Sequence, residues 1–241
     1  MSRTSLRLAA LLLLVSAMSF SCRGWFDHSN QLTEKEKQEG WSLLFDGRTT
    51  RGWHLYHEGN IPSAWIVKDG ALYCDPNSKA KHGDLVSDGE YENFELAFDW
   101  KISPGGNSGV FINVIERPDI PYTWSSGPEY QLLDVAHPDY PVVSKRSGCL
   151  FGYGPTLNPA ENKPTGEWNH SSIRQQNGKI AFYLNGVLTF QQDLHSQAWR
   201  DWVAQSSFKS FPEFGAHTRG HIGLQEWSRG ISFRNIKIRV L

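Results

Sequence analysis

From residue 41 onward the chain is dominated by alternation of apolar and polar positions. Phe94, Leu96, Phe98, Trp100 and Ile102 alternate with polar or small residues, the period of a strand with one buried face. After the turn Pro104-Gly105-Gly106, Val110, Ile112 and Val114 share one predicted face, and Asn107, Gly109, Phe111 and Asn113 the other. Residues 65–73 read as a hairpin about Asp69-Gly70. The pairs Asn177-Gly178 and Asn185-Gly186 punctuate predicted strands at about 167–176, 179–184 and 187–191. Such pairs favour the tight primed turns of a meander. Near the end, Ile222 and Leu224, then Ile231 and Phe233, then Ile236, Ile238 and Val240 alternate again. The parity shifts between Phe233 and Ile236, which predicts a bulge near Arg234-Asn235. Helical spacing is clearest over 197–206, where Trp199, Trp202 and Val203 fall on one face. Many short strands with one small helix predict an all-β sandwich. The long loops 116–126 and 152–165 either form binding rims or cover a sheet edge.

The first residues follow a different pattern. Residues 8–20 are almost wholly apolar, Arg3 and Arg7 precede them, and Ser21-Cys22 closes the run. A charged start, a short apolar stretch and a small residue before the cut describe an export signal. The run falls short of the roughly 20 residues a spanning helix needs. The cysteine after the small residue predicts a bacterial lipoprotein, with residues 1–21 removed and Cys22 lipidated. Ordinary secretion with a free Cys22 is the alternative. Residues 22–40 are polar, with Glu34-Lys35-Glu36-Lys37 suggesting a helical turn, and read as a tether to a single domain over 41–241.

Charge narrows the partners. The full chain carries a net charge of −1. Loss of Arg3 and Arg7 leaves 22 basic and 25 acidic groups. This balance offers no electrostatic footprint for nucleic acid, and no basic block suggests membrane contact other than through a lipid anchor. Cys74 and Cys149 could form a disulfide in an oxidising envelope or remain two buried thiols. No Cys/His spacing resembles a zinc site. Divalent metal bound by carboxylate oxygens stays open, although no calcium-loop pattern is present. Ten Trp, eight Tyr and thirteen Phe fit a strand core, with a few left to stack on sugar rings.

Several segments together resemble the 3-keto-disaccharide hydrolase domain family, DUF1080. They include Leu44-Phe45-Asp46-Gly47, Asn107-Ser108-Gly109-Val110-Phe111, Gly127-Pro128-Glu129-Tyr130-Gln131-Leu132-Leu133-Asp134 and Glu167-Trp168-Asn169. Leu184-Asn185-Gly186, Gly220-His221-Ile222-Gly223-Leu224-Gln225 and Phe233-Arg234-Asn235-Ile236 follow in the family's order. The resemblance implies a concanavalin A-like jelly roll, an envelope location and action on glycosides oxidised at the sugar C3. It also implies a separate sugar C3 dehydrogenase acting upstream. Three places depart from the family pattern. Leu150-Phe151-Gly152 replaces Leu-Tyr-Asp, Ser206-Ser207-Phe208 replaces Ser-Lys-Phe, and Leu224-Gln225-Glu226-Trp227-Ser228 replaces Leu-Gln-Asp-His-Gly.

A ketone at C3 acidifies the C2 proton. Its removal, with stabilisation of the enolate, lets the C1 substituent leave, and water then adds. The route needs a base, an oxyanion stabiliser and an acid, unlike the two carboxyls of ordinary glycosidases. Strand parity places Asn107, Asn113, Glu129, Gln131, Gln225 and Trp227 on one open face. Glu129 is the candidate base. Asn107, Asn113, Gln131 and Gln225 are candidate hydrogen-bonding partners, and Trp227 a stacking platform. Glu226, His137 and Lys163 are further candidates for substrate contact. Trp227 in place of a histidine equally suits a non-catalytic carbohydrate-binding protein, and an interaction module of an envelope complex is a third reading.

Overall fold

The computed structural model describes residues 29–227 and 229–241. The predicted signal segment 1–21, the lipidation site Cys22 and residues 22–28 of the tether lie outside the described residues. Thirteen strands follow a short helix, α1 (Glu34–Gln38). They are β1 (Trp41–Leu43), β2 (Trp53–Leu55), β3 (Trp65–Lys68), β4 (Ala71–Cys74), β5 (Leu85–Tyr91), β6 (Phe94–Ile102) and β7 (Asn107–Val114). The series continues with β8 (Glu129–Leu133), β9 (Asn169–Gln176), β10 (Lys179–Leu184) and β11 (Val187–Asp193). Helix α2 (Gln197–Gln205), β12 (Gly220–Leu224) and β13 (Ile231–Val240) complete the chain. The strands form two antiparallel sheets, an all-β jelly-roll sandwich. The larger has the order β11-β10-β9-β6-β13-β4-β3, with β1 also paired to β13, and the smaller the order β2-β5-β12-β7-β8.

The inner faces carry the alternating residues. Leu96, Phe98, Trp100 and Phe233 of the large sheet meet Val110, Ile112, Tyr130, Leu132, Ile222 and Leu224 of the small one in one buried core. The polar tips in this core are paired. Trp100 Nε1 donates to Ser171 Oγ at 2.9 Å, and Tyr130 Oη lies 2.8 Å from Ser171 Oγ and 3.0 Å from the Tyr183 carbonyl. The Tyr130 bonds tie the two sheets at low desolvation cost.

The bulge expected near Arg234-Asn235 is present. The β13–β6 register shifts between Arg234 and Lys237, with Asn235 in the left-handed region at φ 52°. Strands β4 and β1 sit on the same edge of β13 on either side of it. Asn30 bridges the interruption, exchanging backbone and side-chain hydrogen bonds with Asn235 at 2.6 and 2.8 Å. The predicted tether thus contains a capped helix, and Glu36 of α1 bonds Lys237 of β13. Cys74 and Cys149 are separate buried thiols. Burial pushes the Cys149 thiol up to about 11.

One predicted parity is corrected. Asn113 adopts φ 57°, and the β7–β12 pairing slips between His221 and Gly223. The extra residue turns Asn113 inward, fully buried against β9, where its Nδ2 donates to Gln175 Oε1 at 2.7 Å. Val114 consequently leaves the face of Val110 and Ile112 and packs with Val86 and Phe111. A bulge inverts every position after it.

Candidate functional site

The outer face of the small sheet is roofed by loops. Edge strand β8 is buried along its whole length because the segment beside it pairs with its free edge. Gln131 N–H donates to the Cys149 carbonyl at 3.0 Å, and Phe151 N–H to the Glu129 carbonyl at 3.1 Å. Between these loops lies a cleft of about 440 Å³ lined by Asn107, Glu129, Gln131, Gln225 and Trp227. Its remaining wall is Trp124, Asp139, Phe151, Ser207, Phe208 and Phe211. The volume falls in the range of small-molecule sites.

Glu129 forms the floor. Its carboxyl sits over Gly109 of the neighbouring strand, where an added Cβ would lie 2.1 Å from Oε1. The glycine is therefore required by space, since its backbone is not in the left-handed region. Burial first, and the Asp84 carboxylate second, push Glu129 well above the usual 4.5, while a hydrogen bond from Gln225 acts against them. Glu129 Oε1, Gln131 Oε1 and Gln225 Oε1 are buried acceptors without a partner among the described residues. Gln131 Nε2 is committed to Asn107 Oδ1 at 2.7 Å, so the amide nitrogen is the part of the Asn107 side chain left for a further bond.

Asp84, just before β5, was not visible as a site residue in the sequence. Its Oδ2 accepts from Thr123 Oγ1, and its Oδ1 accepts from the Glu226 N–H at 2.8 Å. It thereby pins the loop that carries Trp124 and the segment after β12. Burial is the largest influence on Asp84 and holds it at about 6, with these two bonds opposing and Glu226 adding to the rise.

The remaining candidates are not in the cleft. Asn113 is turned into the core by the bulge described above. His137 accepts the Asp139 N–H at Nδ1, 3.1 Å away, so its loop delivers Asp139 to the wall instead. Lys163 is exposed, held by its backbone N–H to Asn169 Oδ1 at 2.7 Å. Glu226 points away from Gln225, and its Oε1 lies 3.1 Å from His82 Nδ1. Among the described residues no group of three or more His, Cys, Asp or Glu gathers as a metal shell.

Two of the three motif departures, at Ser207 and Trp227, line this one cleft, and the third, Gly152, follows lining residue Phe151. Lys209 faces a different depression beside α2. A cation does remain near the wall. Lys145 Nζ pairs with Asp139 Oδ2 at 2.8 Å and lies 5.7 Å from the centre of the Phe151 ring. Its bond holds Asp139 below the usual carboxylate range. Trp124 is braced between Tyr122, stacked at 4.9 Å, and Phe211, edge-on at 4.7 Å. Sequence reasoning missed these aromatics because they come from separate loops.

Relatives share this framework across nearly the whole domain. A 3-keto-disaccharide hydrolase of Bacteroides thetaiotaomicron is 30% identical over 230 residues, which is 84% of this chain and 79% of that protein. A crystal structure from Parabacteroides distasonis, provisionally assigned as a glycosyl hydrolase, superposes with a TM-score of 0.79 at 32% identity, covering 88% of this chain and 99% of that one. A second such protein from the same species reaches 0.64 at 28% identity, over 83% and 99% of the two chains. The sequence profile of the 3-keto-alpha-glucoside-1,2-lyase-like domain matches residues 40–239, the span that builds both sheets and every wall of the Glu129 cleft, and the chain belongs to that family.

Proposed function

We propose that this protein cleaves 3-keto-glycosides, with Glu129 as the base. The observation that carries this reading is a single buried carboxyl at the floor of a sugar-sized, aromatic-walled cleft. Burial raises its proton affinity toward the operating pH, where a general base works best. Glu129 takes the C2 proton, breaking the C2–H bond, and the electron pair becomes the enolate of the C3 ketone. In this reading the Asn107 amide donates to sugar or enolate oxygen, and the Gln131 and Gln225 oxygens accept from sugar hydroxyls. Collapse of the enolate breaks the C1–O bond, and the departing oxygen takes the proton held by Glu129 and leaves as the alcohol. Water added across C1 and C2 completes the net hydrolysis. The name and identity of the Bacteroides relative support the substrate class.

The test is release of a chromogenic alcohol from 3-keto-glucosides of both anomeric forms, with wild type and Asp84→Asn compared across pH. Removing the Asp84 charge lowers the proton affinity of Glu129, so the acid limb of kcat/KM moves to lower pH. An acid limb that stays in place would remove Asp84 from the site's electrostatics. Trp227, 41% exposed at the cleft, favours a second reading, a non-catalytic sugar-binding protein. Measurable binding of the same sugars with no release would select it.

The same proposal puts the protein in the bacterial envelope, anchored through Cys22, with a sugar C3 dehydrogenase supplying its substrate. The residues before the domain motivate the anchor. Incorporation of labelled fatty acid is expected in the intact chain, and incorporation that persists in Cys22→Ala would refute this anchor.

A further inference from the structure

The outward face of the large sheet carries a second concavity, on the opposite side of the sandwich from Glu129. Strand register sets Lys101, Ser232 and Tyr73 side by side across β6, β13 and β4, because Ser232 pairs with both of the others. Together with Lys68, Trp168 and Arg234 they line a groove of about 620 Å³, walled by the turn at 103–104 and the segment around 165–168.

Charge on this face is distributed unevenly. Away from the groove, Arg174 and Arg239 both bond Glu95, and Lys237 bonds Glu36. Arg234 lies 3.6 Å from Asp99 at the groove's edge. Lys68 and Lys101 differ. Neither has a carboxylate partner among the described residues. Their ammonium groups instead stand over aromatic rings, Lys68 at 5.0 Å from the centre of Tyr73 and Lys101 at 4.8 Å from that of Trp168. The Arg234 guanidinium also lies over Trp168, at 4.2 Å. Asp69 is the single acid among the lining residues, against Lys68 and Lys101, while the Arg234 charge is offset by Asp99. A nearly neutral protein therefore holds a local positive groove, with cations oriented by aromatic faces. The lining adds hydroxyls of Tyr73, Ser103 and Ser232 and the Trp168 indole.

We propose that this groove binds an acidic glycan, with a carboxylate or sulfate group of one sugar between Lys68 and Lys101. Ammonium groups with no carboxylate partner among the described residues gain a charge-assisted bond from such an anion. The hydroxyl-rich lining suits the sugar's own hydroxyls. The groove contains no cluster of exposed apolar side chains to enter a lipid surface, and two unpartnered lysines make too short a track for nucleic acid. The site is separate from the cleft and does not depend on the reaction proposed there.

Binding is measured by calorimetry with full domain and three polysaccharides: polygalacturonate carrying only carboxylates, κ-carrageenan carrying only sulfates, and a neutral β-glucan. Vesicles containing anionic phospholipid serve as a further arm. At least one acidic polymer is expected to bind and the neutral one not to. Affinity should fall as salt rises from ~50 to ~500 mM, and drop about tenfold or more in the Lys68→Ala/Lys101→Ala double variant. Preference for one polymer identifies the acidic group. Cleavage of 3-keto-glucosides and the melting temperature should be unchanged in that variant, and Glu129→Gln should bind the polymer normally. Absence of binding to both acidic polymers, equal binding by the double variant, or equal or tighter binding to the vesicles would overturn the proposal. Polymer binding without any cleavage would leave this site standing and remove only the catalytic reading.

Discussion

Glu129→Gln is expected to lose glycoside release by ~10²- to 10⁴-fold, the usual contribution of a positioned base, while becoming more stable than the wild type at neutral pH. The two effects share one cause. Burial, and then the Asp84 charge, raise the folded-state pKa of Glu129 above its ordinary 4.5. The folded state therefore binds a proton more tightly than the unfolded state. Stability contributed by this group is complete at low pH and declines as pH rises from about 4.5 through the raised value. Glutamine has no charge to desolvate, so the advantage of the variant grows across that window and then levels off. Melting curves at acid and mildly alkaline pH measure it. A variant that loses activity with a lower melting temperature at alkaline pH would indicate structural damage and sink this account of Glu129.

Gly109→Ala is expected to be nearly as harmful to activity, by on the order of 10²-fold, because a small displacement of a reacting group is costly. The added Cβ would lie 2.1 Å from Glu129 Oε1 and 2.6 Å from its Cγ, so the carboxyl must leave the floor of the cleft. Stability should fall by about 1–3 kcal/mol, as for an overpacked core position. The double variant Gly109→Ala/Glu129→Ala separates the two effects. With the long side chain removed, the methyl group has room. The loss attributed to Gly109→Ala should then shrink by ~0.5–3 kcal/mol, a coupling expected of residues in contact. Additive losses, or full activity in Gly109→Ala, would show that the carboxyl does not rest on that strand.

The motif departures take on a definite meaning in space. Positions 207 and 227 lie in separate loops and meet around one carboxyl, and position 152 follows the lining residue Phe151. The wall has exchanged polar groups of the family pattern for Trp227 and Ser207, and Lys145 approaches Phe151 from another loop. The cleft therefore combines a wall that departs from the family pattern with a buried carboxyl at Glu129.

The sequence alone marked most of the strands, the turns between them, helix α2 and the bulge at Asn235, because those features depend on neighbours within a few residues; β1, β2 and β5 carry too short or too irregular an alternation to be read. Alternation every second residue is enforced wherever one sheet face is buried, and Asn-Gly or Asp-Gly pairs adopt positive φ through local chemistry. It also singled out Glu129 and four of its companions, since strand parity carries them to the same face. Tertiary structure decided the rest. A single left-handed residue, Asn113, inverted the parity at the end of β7 and carried a candidate ligand contact into the core. His137, Lys163 and Glu226 took their directions from loops, where no periodicity applies. Asp84 became an electrostatic neighbour of Glu129 through contacts with Thr123 and Glu226, 39 and 142 residues away. Burial of a charge, the property that sets Glu129 apart in this cleft, arises only when segments remote in sequence close over it.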